Sequence, residues 1–284
     1  MLQAIKGFPP TCKIFLFGIP FEPPLAKIIP TTIKDDYKIN PEALEAAINE
    51  KTRLVIYSSP CNPSGSVYSQ EETAAIADVL RKHDQVFTIS DEIYELINFT
   101  PRHASLAAEP GMIERVITVN GVSKGFAMTG WRLGYMGAPK WIAAACTKIQ
   151  GQFTSAPCSI TQAAAAEAVD QDPSIANSML EAFLRRRNAM HADLSQVPGI
   201  KLNLPMGAFY LFPDISDLFG LSYGGKTLNN SEDVAMYLIE EAHVATVSGA
   251  AFGTPECIRI SYAASDEVLA EAVRRIDAAV RKLS

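Results

Sequence analysis

An α/β fold, with a mostly parallel sheet sandwiched by helices and a smaller C-terminal α+β domain, is what the sequence predicts, on three observations. Strand-like and helix-like runs alternate through the middle of the chain, the strand-like runs are almost continuously apolar, and the pattern changes near Ala176. Alternation of this kind builds parallel sheets joined by crossover helices, and strands covered on both faces lose the polar–apolar alternation of a half-exposed sheet. In order, residues 53–58 (RLVIYS) read as a strand and residues 59–66 as a turn-forming stretch. Residues 69–82 read as a helix whose apolar side comes from Ala74, Ala75, Ala77, Val79 and Leu80. Further strands are expected at 86–90, 115–120 and 133–137. Helical periodicity dominates from Lys140 to about Ala192, interrupted at 153–158 and near Pro173. The remainder holds a strand at 208–212, a Gly-rich loop at 220–226, a helix at 231–241, a strand at 258–262 and a closing helix at 266–283. Ser265 is placed to cap that last helix, with Asp266 and Glu267 at its start and Arg274, Arg275, Arg281 and Lys282 towards its end, as the helix dipole favours. The expected division is a large domain over residues 1–176 and a small one over 177–284.

Composition narrows the function classes. Of 284 residues, 48% are hydrophobic and 20% charged, the profile of an ordinary soluble globular protein. The formal net charge is −6 and the basic residues are spread out, so no stripe exists to neutralise nucleic-acid phosphates. Small anionic ligands remain open, because a few local arginines can act against an acidic average. The five cysteines are odd in number and scattered, and the four histidines are dispersed, with no metal-ligand spacing. Thiols in a reducing compartment, no metal site and a cytoplasmic enzyme are the expectations. The apolar stretch 14–21 is short and contains Pro20, well below a membrane span, and no signal peptide is evident.

Four motifs carry chemistry. Residues 62–65 (NPSG) follow the first strand; alone they are a turn, and functionally Asn62 would point its amide back over the sheet end. Residues 90–94 (SDEIY) end the second strand. Asp91 either is solvated there or, in the crevice at the carboxyl end of a parallel strand, faces a cationic partner with Tyr94 beside it. Residues 120–135 (NGVSKGFAMTGWRLGY) form the strongest motif: Lys124 directly after an apolar strand, Ser123 next to it and Arg132 eight residues on. A lysine able to form a Schiff base, with an arginine and a hydroxyl able to hold a phosphate, is what pyridoxal phosphate requires. Residues 258–262 (IRISY) place Arg259 inside an apolar strand, either salt-bridged within the fold or acting as a fork for a substrate carboxylate.

NPSG, SDEIY, VSKGFAMTGWRLGY and IRISYA, in this order and spacing, resemble the class I/II aminotransferases of the aspartate aminotransferase fold type, the type I pyridoxal-phosphate fold. The resemblance runs from about Ile28 to the C-terminus, and residues 149–162 (IQGQFTSAPCSITQ) look like bacterial aspartate aminotransferases in particular. It implies that Lys124 bonds covalently to pyridoxal 5'-phosphate and later shuttles the substrate proton, and that Asp91 pairs with the pyridinium nitrogen. It implies further that Tyr94 and Asn62 bond the ring's phenolic oxygen, Ser123 and Arg132 hold the phosphate, and Arg259, with Asn62 close by, binds the substrate carboxylate. The implied reaction moves an amino group between an amino acid, aspartate or a similar one, and a 2-oxo acid, with ping-pong kinetics. A C–S β-lyase on the same scaffold and a non-catalytic remnant are the alternatives. The resemblance also implies a homodimer. Against the family pattern the chain starts late: residues 1–7 look like the helix after a phosphate-binding loop, so that loop, part of the substrate lid and part of the dimer contact would lie upstream. Residues 8–27 depart from the pattern, with Pro9-Pro10 and Pro23-Pro24 arguing against a strand there, and Phe17 or Phe21 as the candidate ring to stack on the cofactor.

Overall fold

A computed structural model describes residues 12–16 and 25–284. The central sheet contains β1 (Cys12–Leu16), β2 (Leu25–Ile29), β3 (Thr52–Ser58), β4 (Phe87–Asp91), β5 (Val116–Gly121) and β6 (Gly134–Gly137), in the order β2-β1-β3-β4-β5-β6. The three strands that carry the site, β3, β4 and β5, are mutually parallel, while β1 runs antiparallel to both its neighbours and β6 antiparallel to β5. The fold class expected from sequence is therefore present, as a mixed sheet whose parallel part is its centre.

β1 corrects the expectation that residues 8–27 make a poor strand. The proline pairs flank residues 12–16 rather than interrupt them, so no ladder hydrogen bond is lost within the strand. Phe17 and Phe21 lie outside the described residues.

Local chemistry explains the helices. Helix α1 (Pro41–Ala47) starts with Asn40 accepting from the Ala43 N–H and proline in the first turn, where its missing N–H costs nothing. Helix α2 (Gln70–Arg81) opens on a capping box between Ser69 and Glu72 and buries Ile76, Val79 and Leu80. Together α1 and α2 close one core against the sheet, where Leu44, Val55, Tyr57, Ile76, Leu80 and Val116 meet. Each fully buried leucine or isoleucine there contributes roughly 1.5–3 kcal/mol.

Helices α3 (Lys140–Phe153) and α4 (Ser159–Asp170) behave differently. No side chain of α3 is buried, and Trp141, Ile149, Phe153 and Ile160 are all more than half exposed. β6 is also largely exposed, so the covering of both sheet faces expected from its apolar sequence does not extend to this edge.

The C-terminal part comprises α5 (Asn177–Leu194), β7 (Tyr210–Leu211), β8 (Ser222–Tyr223), β9 (Lys226–Thr227), α6 (Ser231–Glu241), β10 (Val247–Ser248), β11 (Ile258–Ser261) and α7 (Asp266–Val280). Strands β10, β11 and β7 form a small antiparallel sheet, and β8 and β9 a hairpin in the Gly-rich loop. β7 is shorter than its apolar run because Ala208 takes a left-handed φ of 57°, which no strand continues. The core of this part, including Leu194, Leu211, Tyr262 and Ile276, also takes in Tyr94 and Ile97 from the loop after β4. That shared packing fixes the loop carrying Tyr94 against the C-terminal sheet carrying Arg259. Among the described residues no helix is long and apolar enough to cross a membrane.

Candidate active site

The site assembles at the carboxyl ends of β3, β4 and β5, where parallel strands leave a crevice. The register sets Ser58 opposite Asp91 and Asp91 opposite Val119, so the loops leaving all three strands begin side by side.

After β3 the chain folds tightly. Gly65 N–H donates to the Cys61 carbonyl at 2.9 Å, and Cys61 N–H to the Ser66 carbonyl at 2.9 Å. Gly65 has φ +68°, and a Cβ there would sit 2.3 Å from the Pro205 Cβ, so only glycine fits. Its carbonyl accepts from both Met206 and Gly207 N–H, at 2.8 and 2.9 Å. The NPSG segment is thus a turn and also a clamp that presents Asn62 to the cavity.

Alternation along the chain after β4 sends adjacent acids to different tasks. Glu92 is buried and accepts hydrogen bonds from the Ser90 and Ser105 hydroxyls, both at 2.8 Å, with His103 Nε2 also 2.8 Å from its carboxylate. That network, which sequence reading did not find, ties the exit of β4 to the loop at 103–105. Asp91 instead lines the cavity, and its Oδ1 accepts the Ile93 N–H at 3.2 Å. Burial pushes its pKa above the usual carboxylate range, with Glu92 adding to the rise against that hydrogen bond. Tyr94 is 2% exposed, and its hydroxyl lies 3.0 Å from that of Tyr210. Burial first, and then the neighbouring phenol, raise the Tyr94 pKa, so it stays a neutral hydrogen-bonding group.

Lys124 stands three residues beyond β5. Its Nζ lies 5.7 Å from the Tyr94 ring centre and 5.5 Å from that of Phe209. Burial, followed by the charges of Arg259 and Arg132, lowers its pKa and makes the free amine more accessible near neutrality. Arg132 adopts a left-handed φ of 54°, a conformation that costs an ordinary residue energy and is concentrated at functional sites. Its Nη1 donates to the Thr129 carbonyl at 2.9 Å, and together with Ser123, Lys124 and Thr129 it lines a hollow of about 420 Å³.

Arg259 projects from β11 between two rings, its guanidinium carbon 4.6 Å from the centre of Tyr210 and 4.9 Å from that of Phe252. Nη1 donates to Asn62 Oδ1 at 2.9 Å. Among the described residues no carboxylate pairs with Arg259, with Arg132 or with Lys124. A second hollow of about 420 Å³ includes Asn62, Asp91, Tyr94, Lys124, Tyr210 and Arg259 in its wall. Lys124 and Ile93 line both hollows, so the two adjoin around the lysine.

Each site residue expected from the four motifs lines one of these hollows: Asn62, Asp91, Tyr94, Lys124 and Arg259 the one, Ser123, Lys124 and Arg132 the other. Sequence reading missed Tyr210, Phe209, Phe252 and Thr129. Within the run AFYLF the aromatic residues read as core, and nothing in the sequence around Phe252 marks it out. Chemically, three cations with no carboxylate partner among the described residues and one half-buried acid suit a ligand carrying separated anionic groups and a cationic ring position. Pyridoxal phosphate fits that donor set: an amine for its aldehyde, an acid for its ring nitrogen, and an Arg–Ser–Thr group for its phosphate.

Comparison with known proteins gives the same direction. The family model for aminotransferase class I and II matches residues 25–276. The chain is 46% identical over 258 residues to a bifunctional aspartate aminotransferase and glutamate/aspartate-prephenate aminotransferase of Petunia hybrida, covering 89% of this chain and 54% of that protein. It is 45% identical to an aspartate/prephenate aminotransferase of Cereibacter sphaeroides, covering 87% of this chain and 63% of the relative. The crystal structure of the Rhizobium meliloti aspartate aminotransferase superimposes with a TM-score of 0.86 at 40% identity, over 90% of this chain and 65% of that one. The chain therefore spans between about half and just under two thirds of these relatives. On the matched family model, the identity and the shared fold, this chain belongs to the class I and II aminotransferases.

Proposed function

We propose that this chain works as a pyridoxal-phosphate-dependent aminotransferase, moving an amino group between aspartate or a similar amino acid and a 2-oxo acid. The observation that carries the reading is the convergence of Lys124, Arg132 and Arg259, none of them paired with a described carboxylate, on adjoining hollows that also contain the half-buried Asp91. When bound, the cofactor supplies an electron sink for the carbanion left by α-proton removal. The residues do the rest. Lys124 anchors the cofactor and, once released, serves as the base that takes the α-proton and delivers it again. Asp91 holds a positive charge at the ring nitrogen, and Tyr94 and Asn62 set the charge on the phenolic oxygen. Ser123 and Arg132 grip the phosphate through many turnovers. Arg259, stiffened by two aromatic rings, forks onto the α-carboxylate.

The preference for aspartate follows from the relatives, which are named for aspartate and prephenate. We also propose the division into a cofactor-binding domain over 1–176 and a small domain over 177–284, a cytoplasmic location and assembly as a homodimer. The exposed apolar residues Trp141, Ile149, Phe153 and Ile160 support association. Sedimentation velocity is expected to show a dimer; a monomer across the micromolar range would refute that part.

The test is spectroscopic. Purified chain mixed with pyridoxal phosphate should gain a pH-sensitive visible band that aspartate bleaches and 2-oxoglutarate restores, with glutamate formed. Pyruvate and ammonia from a cysteine conjugate would identify a lyase instead. A folded chain that gains no band contradicts the enzyme reading.

A further inference from the structure

Tyr210 touches both halves of the site. It is 6% exposed, sits on β7 opposite Ser261 of β11, and lines the same hollow as Lys124 and Asp91. Its hydroxyl is 3.0 Å from the Tyr94 hydroxyl, and its ring face lies 4.6 Å from the Arg259 guanidinium carbon. One side chain thereby contacts the phenol on the cofactor side and the cation on the substrate side.

We propose that Tyr210 is a positioning residue that couples these halves, its hydroxyl setting the hydrogen-bond direction of Tyr94 and its ring holding Arg259 in line with an incoming carboxylate. The hydrogen bookkeeping gives the first role a direction. A phenol has one proton, so when Tyr94 donates to a ligand oxygen, Tyr210 must donate to Tyr94. Such a chain polarises the second hydroxyl and strengthens the bond it gives. The second role follows from geometry: with Tyr210 and Phe252 near the guanidinium and Asn62 Oδ1 accepting from Nη1, the fork is held before any ligand arrives.

Two variants separate the roles. Tyr210→Phe keeps the ring and loses the hydroxyl, whereas Tyr210→Leu loses both. The spectroscopic arm rests on the reading that Lys124 carries pyridoxal phosphate; the binding arm does not. In the first arm, Tyr210→Phe is expected to raise the pH midpoint of the visible band by roughly 0.5–1 unit, because a less stabilised ring oxygen holds the neighbouring proton more tightly. In the second arm, calorimetry of succinate binding to cofactor-free protein should give wild-type affinity for Tyr210→Phe. It should give roughly tenfold weaker binding for Tyr210→Leu, shown folded by circular dichroism. An unchanged midpoint in Tyr210→Phe overturns the hydroxyl role. Wild-type succinate affinity in Tyr210→Leu, or no succinate binding by the wild type, overturns the ring role. If the wild type gains no visible band yet binds succinate through Tyr210, the cofactor reading falls and the ring role stands.

Discussion

Replacing Lys124 by alanine is expected to remove the visible band formed with pyridoxal phosphate and to lower transamination by roughly 10⁴-fold or more, since the covalent anchor and the proton-transferring base are lost together. The structure makes Lys124 suited to both tasks. Its amine lies to one side of the Tyr94–Phe209 ring pair, 5.7 and 5.5 Å from their centres, and burial with two nearby guanidinium groups lowers its pKa. Lys124→Arg gives a sharper version of the experiment. Arginine keeps the positive charge but neither loses its proton at neutral pH nor forms the linkage, so the loss should be as deep as in the alanine variant. Partial activity in the arginine variant would mean that Lys124 acts by charge alone. Stop-flow or steady-state assays with aspartate and 2-oxoglutarate, beside absorption spectra, provide the comparison.

Replacing Asp91 by asparagine should separate function from stability. With the carboxylate gone, the ring nitrogen loses its charged partner, and turnover is expected to fall on the order of 10²–10³-fold, with weaker cofactor binding. Stability of the cofactor-free protein should move the other way. Burial raises the folded-state pKa of Asp91 above its ordinary value of 3.8, so between those two values the native state binds more protons than the unfolded chain. The favourable contribution is complete below the unfolded pKa and is lost as pH rises through the folded one. Ionising Asp91 as pH rises therefore costs the wild type a desolvation penalty that the asparagine variant does not meet. Melting of the cofactor-free proteins should find Asp91→Asn at least as stable as wild type at pH 7, with that advantage shrinking towards pH 4. A variant less stable at pH 7 and equal at pH 4 would instead make Asp91 a structural carboxylate.

The parts of this molecule that were legible in its sequence are those decided by local chemistry. Helix α2 begins where Ser69 and Glu72 form their box, α6 where Asn230 accepts two backbone N–H groups, and α7 where Ser265 accepts from Val268. β3, β4 and β5 followed from short apolar runs, Asp91 and Lys124 from their places at or just beyond strand ends, and Arg259 from its place inside an apolar strand. What was not legible depends on distant contacts. β1 is improbable from sequence because two proline pairs stand close by, and only the pairing shows that the five bonded residues contain none of them. Tyr210 reads as one more core aromatic until β7 pairs with β11 and brings it beneath Arg259. Glu92 resembles its neighbour Asp91 in sequence, and only the direction of each side chain separates the anchor of a loop from a cavity acid. The exposure of α3 was equally hidden, because amphipathic periodicity marks a face that seeks cover without saying what provides it.

The most direct measurement is to reduce the protein with borohydride in the presence of pyridoxal phosphate and map the modified peptide by mass spectrometry. A single phosphopyridoxyl group on Lys124, displaced by prior incubation with aspartate, is the expected result. Modification spread over exposed lysines with Lys124 untouched, in a folded protein, would contradict the account.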